Sequence, residues 1–189
     1  LMGNIVNWEK LAPMLKKKGI LIVEDSADTL GGKINNRPTG IFSDISITSF
    51  YGSHVISCAG NGGMFLTNNK KFFLRAKVLR SWGRMSTLIK DSENIKKRLG
   101  IKLKGFDYDQ KFVFSEAGYN FEPSEVGAAF GLAQLKKFKK FSKLRNQNFK
   151  LHFNFFKKLK KYFLLPSVNK NVKTNFLAYP IILNDKNKF

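Results

Sequence analysis

The spacing of apolar residues along the chain predicts alternating helices and strands. A stripe that includes Trp8 and Leu15 predicts a helix over residues 8–18, which Asn7 can cap and Gly19 can end. The apolar run that follows, ILIVED, predicts a strand buried on both faces, as in a parallel sheet. Further strands are predicted at ISITSF and GGMFLT, and a helix is predicted at KFFLRAKVLRSWG.

The second half of the chain predicts a loop, two helices and a strand. Residues 86–112 are polar and irregular, which is typical of a long functional loop with some local structure. Pro123 stands where the helix EVGAAFGLAQLKKF can begin. Aromatic and leucine residues recur from Phe149 to Phe163 and predict a second long helix, whose stripe we expect to pack in the core. NFLAYPIIL predicts a new strand, so the order of elements predicts an α/β fold.

The chain is strongly basic, with 34 Lys and Arg against 13 Asp and Glu and a formal net charge of +21 at pH 7. A basic nucleic-acid-binding or scaffolding protein is therefore one alternative. The lysines, however, cluster in segments typical of solvated helix faces and loops. We therefore expect neither nucleic acid nor a membrane as a partner, and a milder attraction for an anionic substrate such as a nucleotide sugar.

Other features of the sequence bound the class of protein. No apolar run approaches the ~20 residues of a membrane helix. The single cysteine, Cys58, allows no intrachain disulfide and no cysteine-only metal site, so we expect a reducing, cytoplasmic setting. The chain begins with Leu and ends shortly after a predicted strand, and we expect it to be an internal piece of a longer protein.

Polar side chains cluster at the ends of two predicted strands. The end of ILIVED carries Glu24, Asp25 and, shortly after it, Asp28, and the end of ISITSF carries Ser49 and, shortly after it, Tyr51 and His54. Ligands of open α/β sheets bind beyond the carboxyl ends of the strands. The carboxylates could hold a metal ion or Mg²⁺-phosphate, a carboxylate and the histidine could form an acid–base pair, or these side chains could only cap helices and form salt bridges.

An ordered set of motifs narrows these alternatives. The set consists of VEDSADTLGGK, SFYGSH, GNGGMFLTN, LRSWGR and GYNFEPSEVGAAFGLAQL. It resembles the DegT/StrS family of pyridoxal-phosphate (PLP) sugar aminotransferases. The resemblance implies the three-layer αβα fold-type-I architecture, with a mostly parallel sheet. Residues 1–145 would be the later part of the large, PLP-binding domain, and residues 146–189 a linking helix and the start of a small α+β domain.

The resemblance also implies cofactor contacts for four residues. Asp25 matches the carboxylate that pairs with the pyridinium nitrogen and keeps the ring protonated. Asp28 falls where many family aminotransferases have Gln near the ring hydroxyl, and Ser49 matches a serine that contacts the phosphate. Asn120 matches a residue that reaches the phosphate from the neighbouring subunit, which implies a homodimer with shared active sites. No metal is among the implied cofactors.

His54 stands where family aminotransferases, with the pattern S-F-x-x-x-K, have the lysine that forms a Schiff base with PLP. Imidazole cannot hold the cofactor in this way, so use as pyridoxamine phosphate (PMP) is expected, although imidazole still transfers protons at neutral pH. The nucleotide-sugar 3-dehydratase branch has the same histidine, an Asp at the position of Asp28 and a Y-D-x-K segment like YDQK here. The resemblance implies C3 dehydration of a 4-keto-6-deoxy nucleotide sugar with His54 as the proton-transfer group.

The resemblance further implies deoxysugar or lipopolysaccharide biosynthesis, with glutamate as the amino donor. A CDP-linked relative needs an iron–sulfur cluster, which the lone Cys58 could not ligate, so the iron-free type is closer. The sequence departs from the family pattern at three points. There is an additional residue between His54 and the double glycine, Asn61 stands where Glu is usual, and GYNFEP lacks the basic residue that is common after G-Y-N. The alternative within the family is a transaminase or an inactive homologue that has lost its lysine.

Overall fold

The computed structural model of the protein describes residues 2–184. Its elements in chain order are α1 (Trp8–Lys17), β1 (Val23–Asp25), β2 (Lys33–Ile34), β3 (Arg37–Pro38), β4 (Ile45–Ser49), β5 (Gly63–Leu66), α2 (Lys70–Arg80), α3 (Ile95–Arg98), β6 (Ile101–Leu103), β7 (Phe106–Tyr108), α4 (Glu125–Lys157), β8 (Phe163–Leu164), β9 (Val172–Lys173) and β10 (Ile182–Leu183). Two compact units result. One contains the residues up to Leu66 and those from Glu125 onward, and the other is Thr67–Ser124.

Helix α1 is confirmed, with both of its predicted ends. The side chain of Asn7 accepts a hydrogen bond from the backbone nitrogen of Lys10, and Gly19 follows the helix with φ of +68°. Its buried face joins a core whose members are Ile5, Trp8, Ala12, Ile22, Ile34 and Phe42. This core lies next to the sheet that carries the candidate site residues.

That sheet has the order β1-β4-β5, with β1 parallel and β5 antiparallel to β4. The prediction that β1 is buried on both faces is wrong, because Val23 is 60% exposed. The buried residue of β1 is instead Glu24, whose carboxylate accepts hydrogen bonds from Ser26 Oγ at 2.5 Å and from the backbone nitrogen of Gly40 at 2.8 Å. No other part of the described chain covers the opposite face, which carries Val23.

Helix α4 is a single helix of 33 residues where two helices were predicted. No glycine or proline occurs between Gly131 and the end of the helix at Lys157, so nothing in the sequence interrupts it. The aromatic stripe packs within the first unit: Phe149 stacks on Phe176, with ring centroids 3.5 Å apart, and Phe156 contacts Phe163. The stripe is only half-buried and lies outside the core that α1 joins, so its predicted core role stays a prediction. The predicted domain boundary after residue 145 falls inside α4 and stays a prediction, and residues 185–189 of the predicted small domain lie outside the described part.

The segment NFLAYPIIL is a strand only over Ile182–Leu183, where β10 pairs antiparallel with β8. The preceding part lies against α4 instead, because Phe176 and Tyr179 stack on aromatic rings of that helix. Residues 86–112 contain α3, the β6–β7 hairpin and 3-10 turns at Met85–Leu88 and Gln110–Phe112. Within residues 2–184, no helix combines the length and hydropathy that are needed to cross a membrane.

Candidate active site

The register of the parallel strands places Asp25 and Ser49 on the same face of the sheet. Asp25 is paired with Ile47, and side chains alternate along a strand, so Ser49 projects from the face that carries Asp25. Asp25 Oδ1 accepts a hydrogen bond from the nitrogen of Ala27 at 3.0 Å, and Ser49 Oγ accepts one from the nitrogen of Tyr51 at 3.2 Å. A carboxylate has a second oxygen and a hydroxyl has a proton to donate, so both groups can still bind a ligand.

His54 lies in the loop of residues 50–62, which connects β4 to β5 and is closed by its own backbone. The nitrogen of Phe50 donates to the carbonyl of Gly62 at 2.8 Å, and that of Gly52 donates to the carbonyl of Gly60 at 3.1 Å. Ala59 and Gly60 have φ of +56° and +113°, so the backbone makes a left-handed turn shortly before the double glycine. Next to His54, Val55 and Ile56 are 3% and 5% exposed. These two buried side chains anchor the loop.

The structure brings His54 and Asp28 together. Nε2 of His54 lies 3.7 Å from Oδ1 of Asp28, and the two side chains are 17% and 23% exposed. This distance suits an ion pair with a protonated ring and is longer than a hydrogen bond. Nδ1 of His54 is buried without a hydrogen-bond partner among the described residues, and the ring of Tyr51 meets that of His54 at 73°. A half-buried imidazole next to a carboxylate can take up and return a proton.

Glu24 is not part of this group of site residues. It alternates with Asp25 along β1 and points to the opposite, buried face, where Ser26 and Gly40 occupy its carboxylate. The alternative of paired carboxylates that share one metal is therefore wrong for Glu24 and Asp25. Across residues 2–184, no cluster of three or more His, Cys, Asp or Glu side chains could hold a metal ion.

Asn120 lies in the Thr67–Ser124 unit, apart in the chain from the other candidates. Its backbone forms an isolated antiparallel bridge with Ser81, next to a close approach of two glycines. A Cβ atom at Gly118 would overlap the backbone nitrogen of Gly83, so the motifs LRSWGR and GYN can pack together only as glycine-containing segments. The predicted contact of Asn120 with a cofactor of the neighbouring subunit stays a prediction.

Arg145 is not among the residues predicted for the site, and it contacts the His54 loop from α4. Nη2 of Arg145 donates to the carbonyl of His54 at 3.4 Å, and Nη1 donates to the carbonyls of Phe176 and Leu177 at 3.2 and 3.1 Å. Burial lowers the pKa of the Arg145 guanidinium. One feature of the sequence could have indicated this role: Arg145 is the only arginine in α4, among many lysines. Arginine offers a planar fork of hydrogen-bond donors that lysine lacks.

A cavity of about 480 Å³ lies next to this contact. The His54 loop lines one side of it with Gly52, His54 and Ser57, and α4 lines the other with Gln134, Arg145 and Asn148. The cavity is large enough for a small ligand, and His54 is one of the few titratable groups in its wall. The loop and α4 belong to the same unit, so this cavity is a feature of that unit alone.

Comparisons with known proteins identify the family of the chain. The model of the DegT/DnrJ/EryC1/StrS aminotransferase family matches residues 1–188. The dTDP-4-dehydro-2,6-dideoxy-D-glucose 3-dehydratase of Saccharopolyspora spinosa is 33% identical over 152 residues, which are 79% of this chain and 33% of that protein. The UDP-4-amino-4,6-dideoxy-N-acetyl-beta-L-altrosamine transaminase of Campylobacter jejuni is 28% identical over 181 residues, which are 96% of this chain and 42% of that protein.

A solved structure shows that the fold is also similar. The E. coli GDP-4-keto-6-deoxy-D-mannose-3-dehydratase with bound hydrated PLP superimposes with a TM-score of 0.79 at 25% identity, over 97% of this chain and 45% of that chain. The chain thus spans less than half the length of these relatives. The predicted fold-type-I architecture is confirmed, and the chain belongs to the DegT/DnrJ/EryC1/StrS aminotransferase family.

Proposed function

We propose that the complete protein is a PLP/PMP-dependent nucleotide-sugar 3-dehydratase of deoxysugar or lipopolysaccharide biosynthesis. The observation that carries the proposal is the contact of His54 with Asp28, with Nε2 of the ring 3.7 Å from Oδ1 of the carboxylate. The resemblance of SFYGSH to the S-F-x-x-x-K pattern supports His54 as the residue in place of the Schiff-base lysine. An imidazole at this position can transfer protons but cannot hold the cofactor covalently. Relatives named as 3-dehydratases, from S. spinosa and E. coli, support this assignment.

The residues of the site fit the cofactor. Asp25 would pair with the pyridinium nitrogen through the carboxylate oxygen that Ala27 leaves available, and Ser49, on the same sheet face, would donate to the phosphate. Asp28 would lie near the ring hydroxyl. When bound, the cofactor supplies an electron sink for cleavage of bonds next to its amine. Because the sheet presents a carboxylate and a hydroxyl from neighbouring strands, this part of the chain supplies two of the groups that such a ligand needs.

His54 supplies the proton transfer in this proposal. The carboxylate of Asp28 faces Nε2 of the ring at 3.7 Å and would favour one orientation of the imidazole. In that orientation the ring would accept a proton and return one to the departing C3 hydroxyl. In the overall reaction the sugar loses its C3 oxygen, and glutamate, the proposed amino donor, is converted to 2-oxoglutarate and ammonia. The oxygen that 2-oxoglutarate gains equals the one that the sugar loses, so the atoms balance. The product is a 3-deoxy-4-keto nucleotide sugar.

The proposal includes a homodimer in the cytoplasm. Asn120, in the segment GYN, would complete the phosphate site of the partner subunit, so that neither subunit would be active alone. The resemblance of GYN to the family motif supports this arrangement. The high positive charge would draw the anionic nucleotide sugar toward the protein.

The test is an incubation of the complete protein with GDP-4-keto-6-deoxymannose, PLP and glutamate. A dehydratase forms a 3-deoxy-4-keto sugar together with equal amounts of 2-oxoglutarate and ammonia. A transaminase, the activity named for the C. jejuni relative, forms a stable 4-amino sugar and 2-oxoglutarate without ammonia. The second result would replace the proposal, and a protein that binds the cofactor but forms neither product would support an inactive homologue.

A further inference from the structure

Both oxygens of the Asp28 carboxylate are engaged, and by different segments of the chain. Oδ1 faces Nε2 of His54 at 3.7 Å, and Oδ2 accepts a hydrogen bond from the backbone nitrogen of Met2 at 2.8 Å. The position of Asp28 therefore depends on the segment around Met2. That segment is in turn held from the far end of the described chain.

A series of hydrogen bonds leads from Met2 back to His54. The nitrogen of Leu177 donates to the carbonyl of Met2 at 3.3 Å, and the carbonyl of Leu177 accepts from Nη1 of Arg145 at 3.1 Å. Nη2 of the same guanidinium donates to the carbonyl of His54 at 3.4 Å. Together with the His54–Asp28 contact, these links form a closed circuit of five residues, which we call the Arg145 circuit. Its members are Met2, Asp28, His54, Arg145 and Leu177, and all of them lie in one unit.

Arg145 is the member of the circuit whose side chain is hardest to replace by another. Its planar fork donates to three backbone carbonyls of two segments, whereas the donors of a lysine diverge from a single nitrogen. Among the described residues, Arg145 forms no salt bridge. Its partial burial removes water from the guanidinium and lowers its pKa, and the three carbonyls replace part of the lost hydration. A half-buried cation that donates to three backbone carbonyls restricts the positions of those carbonyls.

We propose that Arg145 is a positioning residue that sets the geometry of the His54–Asp28 pair. It acts on His54 directly through the carbonyl of that residue, and on Asp28 through Leu177 and Met2. The catalytic meaning of this role rests on the proposed function, whereas the positioning itself does not. Misplacement of a catalytic group by ~1 Å can cost about 100-fold in rate, so loss of the guanidinium should lower kcat strongly.

The segment that Arg145 contacts has other attachments. Oγ1 of Thr174 donates to the carbonyl of Gly3 at 2.5 Å, and Nδ2 of Asn175 donates to the carbonyl of Leu30 at 2.7 Å. We therefore expect Arg145→Ala to fold and to bind cofactor at Asp25 and Ser49, which do not belong to the circuit. The matched control is Lys143→Met, which removes an exposed positive charge from the same helix without touching the circuit.

The first experiment measures kcat and KM of the complete protein and tests chemical rescue. We expect Arg145→Ala to lose at least about tenfold in kcat with KM within about twofold, and Arg145→Lys to recover only part of it. The Arg145 side chain also lines a second cavity, of about 190 Å³, through which added guanidinium could enter. Millimolar guanidinium should restore activity to Arg145→Ala, and ammonium at the same concentration should not. Wild-type kcat in Arg145→Ala would overturn the proposal.

The second experiment does not depend on the reaction. The ring signals of His54 are followed by nuclear magnetic resonance in the wild type, Arg145→Ala, Asp28→Asn and Lys143→Met. We expect Arg145→Ala to shift the His54 signals in the direction that Asp28→Asn shifts them, and Lys143→Met to leave them in place. Unchanged His54 signals in Arg145→Ala would overturn the positioning role. If the signals shift but the assay yields a 4-amino sugar, the proposed function fails and the positioning role stands.

Discussion

Nε2 of His54 lies 3.7 Å from Oδ1 of Asp28, which joins the loop after β4 to the loop after β1. Among the described residues, Asp28 is the only charged group within ion-pair distance of this imidazole. Asp28→Asn keeps the shape of the side chain and removes its charge, so the ring loses the charged neighbour that faces its Nε2. We expect kcat to fall by about 10- to 100-fold, within the range of acid–base effects. The measurement is steady-state formation of 2-oxoglutarate and ammonia.

Glu9→Gln is a suitable control for this prediction. It removes a carboxylate that accepts a hydrogen bond from Asn35 on the exposed side of the unit. Its kcat should stay within about twofold of the wild type, because isolated surface charges contribute little. Equal losses of activity in Asp28→Asn and Glu9→Gln would show that charge in general, and not the contact with His54, was responsible.

A second prediction concerns how the cofactor is retained. If His54 stands in place of the Schiff-base lysine, as proposed, dialysis should remove the cofactor from the wild-type protein and borohydride should trap no adduct. His54→Lys restores an amine at the same position in the 50–62 loop. We expect this variant to keep PLP through dialysis and to gain an absorbance band that borohydride reduction removes. His54→Gln serves as the control that lacks both groups, and a borohydride-trapped adduct in the wild type would contradict the assignment.

The sequence was sufficient for the parts of the site that strand periodicity determines. Asp25 and Ser49 lie at the ends of predicted strands, and parallel pairing alone brings two such positions to one edge of a sheet. The contact between His54 and Asp28 was not predictable in this way, because two irregular loops create it. Arg145 was missed because it binds backbone carbonyls, and a carbonyl leaves no mark in the sequence.

The secondary structure shows similar limits. The exposure of Val23 depends on which elements cover the sheet, and apolar character alone could not reveal this. The single helix α4, in contrast, could have been predicted, since no helix-breaking residue separates its two apolar patterns.

A third prediction tests the shared active site. If Asn120 acts in the partner's site, a subunit with Asn120→Ala and a subunit with His54→Asn can form one intact site between them. Homodimers of either variant would be nearly inactive. Random mixing yields half heterodimers with one intact site of two, so activity should return to about a quarter of the wild type. Sites contained within single subunits would give no recovery, with light scattering as the check that dimers form.

A fourth prediction concerns the close approach of LRSWGR and GYN. Gly118→Ala would place a methyl group against the backbone of Trp82 and Gly83, which has no flexible end that could move aside. We expect a loss of about 1–3 kcal/mol in the free energy of unfolding of the Thr67–Ser124 unit, measured by urea denaturation of the complete protein. Gly100→Ala, in the same unit, meets no atom closer than 3.5 Å and should change stability by less than about 0.5 kcal/mol.

The last prediction concerns Tyr179, whose ring packs between Phe149 and Phe156. Its hydroxyl is buried and has no hydrogen-bond partner among residues 2–184, and burial raises the pKa of this phenol above its ordinary value of 10.0. The folded state therefore holds the phenol proton more tightly than the unfolded state. The free energy of unfolding keeps its full value below pH 10 and falls as the pH rises through the raised pKa.

Tyr179→Phe keeps the ring and removes the hydroxyl without a partner. We expect the variant to unfold at the same or a slightly higher urea concentration at pH 7, by up to about 1 kcal/mol, because a buried unpaired polar group is costly. Above pH 10 the advantage of the variant should grow, since phenylalanine has no proton to lose. The measurement is urea denaturation of both proteins at pH 7, 9 and about 11, the last above the ordinary phenol pKa. A Tyr179→Phe protein that is less stable at pH 7 would show that the hydroxyl makes a favourable contact.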